Sequence, residues 1–145
     1  MTLKPLLHVM LLGLWGGCVA VELVLEFAAA KSPELQPVVA RFHDAIDRKV
    51  EIPLLVLIVA SGLWLLQDAN LSDPWLWVKI AAGMTAIAAN ALCVIPVVRR
   101  KRAADAGSAL SVLQGHARGV FLSAAIGVPA ASVALVLGLM RALGR

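Results

Sequence analysis

Tyrosine is absent from this chain, aromatic residues of any kind make up 5% of it, and charged residues only 15%. Too little charge is left to cover a soluble globule, and with 61% hydrophobic residues the composition is that of an integral membrane protein. Cysteine is scarce as well. Cys18 and Cys93 both lie inside apolar runs, so neither a disulfide framework nor a CxxC zinc pattern has support. No GxSxG, no HExxH and no glycine-rich phosphate loop occurs, which removes the sequence basis for hydrolase and nucleotide-binding readings. There is no low-complexity segment and no long internal repeat, and 145 residues correspond to one domain.

What the chain does have is apolar runs, about Leu3 to Ala30, Pro53 to Leu66, Trp75 to Val98 and Val120 to Leu143. The expected fold class is all-α, an integral-membrane, antiparallel bundle of four transmembrane helices forming a single domain over residues 1–145. The second run is short, but Val39, Phe42, Ile46 and Val50 recur at helical spacing just before it and extend it toward the interface. Pro33 and Pro37 allow that helix to begin near Val38. The first run resembles a secretory signal, with AAA before Lys31, yet it is too long for one and carries two glutamates. It is read as a mature transmembrane helix.

The net charge of +4 sits between apolar runs and reports topology rather than nucleic-acid binding. Lys31, Arg41, Arg48 and Lys49 precede the second span, and Arg99, Arg100, Lys101, Arg102 and Arg118 lie between the third and fourth. The turn from Gln67 to Pro74 has Asp68 and Asp73 and no base. The positive-inside rule then predicts a multi-pass protein of a bacterial-type inner (plasma) membrane with both termini outside. Trp64, Trp75 and Trp77 around the short turn read as an aromatic belt. Gly119, Ser123, Gly127 and Ala131 give the last helix a small-residue face suited to close helix packing, including a homodimer contact. The RRKR run is read first as a topology determinant, with anionic lipid as the other reading.

Polar residues inside the spans carry the functional expectations. His8, Trp15, Glu22 and Glu26 fall within one narrow sector of the first helix at about 100° per residue, a face that lipid cannot accept. His8 and Lys79 should lie at similar depth near the outer end, where Lys79 shares a face with Gly83, Ala86, Asn90 and Cys93. One reading is a cofactor site with His8 as a haem axial ligand and Lys79 as charge partner or proton donor. The other is a snorkelling lysine and a single interhelical hydrogen bond.

At the inner end Glu22, Glu26, His43, Asp47, Glu51 and His116 project from three helices, as in bundles that hold divalent transition-metal ions, although the Glu-x-x-His spacing of di-iron bundles is absent. Glu22 lies about 6 Å deeper than Glu26, where an unpaired carboxylate needs a proton or a cation. The same cluster also reads as an interfacial salt-bridge network, relieved by Arg48 and Arg118 folding inward, and His43 with His116 as a bis-histidine pair.

Lys4, His8, Trp15 and Gly17 in KPLLHVMLLGLWGG, PWLWVKI around Lys79, and the basic RRKRAADAG after the third run resemble the HemJ-type protoporphyrinogen oxidase family and its CopD-like relatives, over roughly the first three helices. The resemblance implies a haem- or porphyrin-handling membrane oxidoreductase with bound haem b. His8 and Lys79 are then the catalytic pair, and His8, Trp15 and Lys79 the cofactor-binding set. Glu22 and Glu26 stand where such chains usually carry basic and aromatic residues. The acidic cluster supplies the alternative, a non-enzymatic metal-binding or ion-coupled protein.

Overall fold

The computed structural model describes residues 3–142, and every regular element among them is helical. Helix α1 runs from Leu3 to Lys31, is closed by the Ser32 amide on the Ala28 carbonyl at 2.9 Å, and is stopped by Pro33. A 3-10 turn, Pro33–Leu35, leads into α2 (Gln36–Ile46). A π-helical turn, Asp47–Glu51, then joins α2 to α3 (Ile52–Leu66), so the amphipathic stretch and the second apolar run form one continuous rod. Pro53 explains the wide turn. Its ring has no N–H and would clash with the carbonyl four residues back, and the looser winding before it relieves that contact.

Asp73 caps the next helix, accepting the Trp75 amide at 2.9 Å, and α4 continues from Pro74 to Asp105, well past the expected end at Val98. Gly107, at φ +65°, ends it with the Ser108 amide on Ala103 at 2.9 Å, a left-handed position suited to glycine. Helix α5 runs from Leu110 to Ala142 and therefore begins about ten residues before the apolar run that signals it. The spans Leu3–Lys31, Pro33–Leu66, Pro74–Asp105 and Leu110–Arg141 are each long and apolar enough to cross a membrane.

Side-chain contacts define two ends. At the Trp-rich end, His8 of α1 meets Ser61 of α3, Lys4 reaches Asp68 at 2.5 Å, Arg141 pairs with Asp73, and Gly138 of α5 lies against Lys79 of α4. At the basic end, Glu26 meets His43 and Arg100, and Arg41 pairs with Asp105 at 3.0 Å. The apolar core is small, with Leu11, Trp15, Leu55, Ile58 and Ala86 at its centre, while Val24, Val56 and Leu122 stand outward from the bundle. The small-residue repeat of α5 is used within the chain. A Cβ at Gly119 would come within 3.0 Å of Pro96 Cβ, and one at Gly127 within 3.2 Å of Ala89 Cβ, so its glycines let α4 and α5 approach closely.

Candidate metal centre

The basic end gathers most of the acidic side chains into the interior. Glu22, Glu26, His43, Asp44, Asp47 and Glu51 are all buried, together with Gln36 and Arg100. Helix α1 supplies Glu22 and Glu26 one turn apart, whereas His43, Asp47 and Glu51 come from the rod that contains the π turn. In an unbroken α-helix, residues four apart drift by about 40°, and eight apart by about 80°, around the axis. The wider turn takes more residues per revolution, which reduces that drift and keeps all three on the cavity side.

Arg100 organises the cluster. It donates from Nη1 to both Glu26 oxygens, at 2.6 and 2.7 Å, and from Nη2 to Gln36 Oε1 at 2.6 Å, while the Gln36 amide donates to the Ala29 carbonyl at 2.9 Å. Glu26, held as an acceptor by the guanidinium, also accepts from His43 Nδ1 at 2.7 Å. That bond fixes the imidazole tautomer, so in the neutral ring Nε2 presents its lone pair on the other side. There it faces Glu22 Oε2 at 3.4 Å and Asp47 Oδ1 at 3.9 Å. Asn90 donates to Glu51 Oε2 at 2.8 Å.

Besides Asp44 Oδ1, whose carboxyl group meets Arg48 through its other oxygen, three buried carboxylate oxygens have no hydrogen-bond partner among the described residues: Glu22 Oε1, Asp47 Oδ2 and Glu51 Oε1. Their carboxyl groups line a cavity of about 60 Å³, shared with His43, Asn90 and Cys93, which is room for a few water molecules or a hydrated ion. Glu22, His43 and Asp47 each offer a donor atom within 4.8 Å of the others. Two donors at about 2.1 Å from a tetrahedral ion stand about 3.4 Å apart, the order of separation seen between Glu22 and His43. A neutral imidazole oriented by a carboxylate bonded to its other ring nitrogen is the arrangement in which proteins present histidine to metals.

The structure brings five of the six residues expected here into one group and leaves His116 outside it. His116 is half-buried on α5 and does not line the cavity; Val120, one turn further on, does, so the imidazole stands about 6 Å nearer the helix start. Of the two histidines read as a bis-histidine pair, only His43 lines the cavity. The inward arginine also differs from expectation. Arg118 is exposed and Arg48 reaches Asp44 from a largely exposed position, whereas Arg100, 1% exposed, enters the core. Its phase was readable: Ala86, Ala89, Val97, Arg100 and Ala104 form the buried stripe of α4, with Arg100 seven residues beyond the cavity-lining Cys93.

At the other end, His8, Trp15 and Lys79 line a second cavity of about 450 Å³ whose walls are otherwise almost entirely apolar. The Ser61 hydroxyl donates to the Ile58 carbonyl at 3.0 Å and so accepts from His8 Nδ1 at 2.8 Å, which leaves His8 Nε2 free. His8 and Lys79 are the residues here that would hold haem b, as the sequence resemblance implies it. Trp15 borders both cavities, and its indole N–H is buried without a partner among the described residues. Comparison with protein-family models, curated proteins and solved structures returns no match.

Proposed function

We propose that the chain is an integral membrane protein that holds a divalent transition-metal ion at the basic end of an antiparallel bundle of four transmembrane helices. The observation that carries this reading is that three carboxyl groups with buried, unpartnered oxygens, those of Glu22, Asp47 and Glu51, line one cavity of about 60 Å³ together with His43. Glu26 is balanced by Arg100 and Asp44 by Arg48, so the carboxylates of Glu22, Asp47 and Glu51 are the unbalanced ones. A dication is the economical partner for them. One imidazole nitrogen with carboxylate oxygens favours Mn, Fe, Co or Zn over soft Cu(I) or all-oxygen Ca and Mg sites.

The up-and-down course is supported by the pairing of His8 with Ser61, of Glu26 with His43, and of Lys79 with Gly138. The excess of basic residues at the metal end assigns that end to the cytoplasm of a bacterial-type plasma membrane, with both termini outside. The role that fits is non-enzymatic metal binding or ion coupling. Metal analysis of protein purified in detergent, followed by Co(II) titration of the chelator-treated form, tests the reading. Near-stoichiometric metal in the wild type and loss of it in His43→Ala and Asp47→Asn is the expected result; a wild type that is metal-free and takes up no Co(II) refutes it.

A haem- or porphyrin-handling oxidoreductase of the HemJ-like kind is a separate reading that concerns only the Trp-end cavity, and the freedom of His8 Nε2 is its support. A Soret band that disappears in His8→Ala is its test.

A further inference from the structure

We propose that the Trp-end cavity is a binding site for a single-chain amphiphile with a carboxylate head, the acid group paired with Lys79 and the acyl chain running along the bundle axis toward Trp15. Lys79 is the one formally charged residue in the cavity wall, and among the described residues its ammonium has no carboxylate partner. The acids at this end are already engaged, Asp68 with Lys4 and Asp73 with Arg141. An unpaired ammonium beside apolar walls is a standing demand for an anion.

The backbone makes room for the lysine where that anion would meet it. A Cβ at Gly138 would lie 3.2 Å from Lys79 Cε and 3.3 Å from its Nζ, so the end of the lysine side chain rests close against the backbone of α5, where a larger residue would crowd it. About 450 Å³ falls in the lower part of the range of small-ligand pockets, and the other walls include Leu12, Leu55, Ile58 and Leu135, which suit an aliphatic chain. One ammonium matches one carboxylate, whereas haem b brings two propionates. The proposal is independent of the metal at the other end, and a haem in the same cavity would exclude it.

The test uses the full chain with Trp64, Trp75 and Trp77 changed to Phe, so that Trp15 is the only indole, in detergent micelles titrated with 9,10-dibromostearate, whose bromines quench tryptophan on contact. Saturable quenching is expected, weakened at least tenfold by Lys79→Gln and lost with the methyl ester of the same acid. Equal, non-saturable quenching by acid and ester would mean ordinary contact with lipid chains and overturns the proposal. So does a Soret band in the purified wild type. Should the three replacements prevent folding, extraction of wild-type and Lys79→Gln protein and mass spectrometry of the co-purifying fatty acids answers the same question: equal amounts in both overturn the proposal, and depletion in the variant supports it.

Discussion

His43 and Glu26 share a hydrogen bond of 2.7 Å from Nδ1 to Oε1, and through it the buried Arg100 clamp on Glu26 determines which histidine nitrogen faces the cavity. The carboxylate therefore acts on any bound ion through the histidine rather than by touching it. Glu26→Gln can still meet His43 and Arg100 in size but supplies neither the charge nor the second acceptor oxygen. Metal affinity should fall about 10–100-fold, the usual effect of losing an outer-shell partner. Isothermal titration with Co(II) measures it, and an unchanged affinity removes Glu26 from the role.

Glu22→Gln distinguishes a metal from a proton shared among the carboxylates. With a metal, the substitution lowers metal content and also lowers the melting temperature, since binding to the folded state stabilises it by mass action. With shared protons it is neutral or stabilising, because the amide mimics the protonated acid. Thermal melting with and without chelator, beside metal analysis, reads both, and the proposed function requires the first outcome.

Arg100→Ala should be the most damaging single charge removal in the bundle. Glu26 would be left with His43 as its one side-chain donor and no balancing cation, and the buried Gln36 Oε1 would lose its donor, at a cost of about 3–5 kcal/mol. Arg118→Ala, at an exposed position, should stay within about 0.5 kcal/mol of wild type. Equal stability of the two variants in reversible unfolding would contradict the central place given to Arg100.

Pro53→Ala addresses the π turn. With the ring gone, the turn from Asp47 to Glu51 is free to close to α-helical winding, which would rotate Glu51 and the ligands before it out of register. The expected result is full helicity by circular dichroism with reduced metal uptake. Undiminished uptake would show that the wide turn is not what aligns the ligands.

Topology is open to direct labelling. Single cysteines introduced at Asn70, in the turn between α3 and α4, and at Ala103, near the end of α4, in a chain with Cys18 and Cys93 replaced, should react with a membrane-impermeant maleimide from opposite sides of the membrane. Reaction of both from one side would refute the proposed course of the chain.

Gly119→Leu should lower stability by at least about 1–3 kcal/mol, because even a Cβ there meets Pro96 at 3.0 Å. Thermal melting checks it. A stable variant that no longer self-associates would instead place this face between two copies of the chain.

The number of long helices and the place of their apolar stretches were legible in the sequence, though not the polar turns by which α4 and α5 overrun them, because hydrocarbon imposes one rule on every span: about twenty apolar residues with backbone bonds satisfied internally. The same rule marked Glu22, Glu26, His43, Asp47 and Glu51, since ionisable residues at these depths stand out against apolar neighbours. Partnership was not legible. In the RRKR run the phase of Arg100, seven residues beyond Cys93, marks the base that turns inward, but its clamp on Glu26 depends on how α1 and α4 pack. The π turn, the cavity it faces and the exclusion of His116 likewise depend on angles of rotation and on depth between packed rods. A linear pattern fixes such relations only to within a turn, whereas a metal centre is sensitive to differences of about 1 Å.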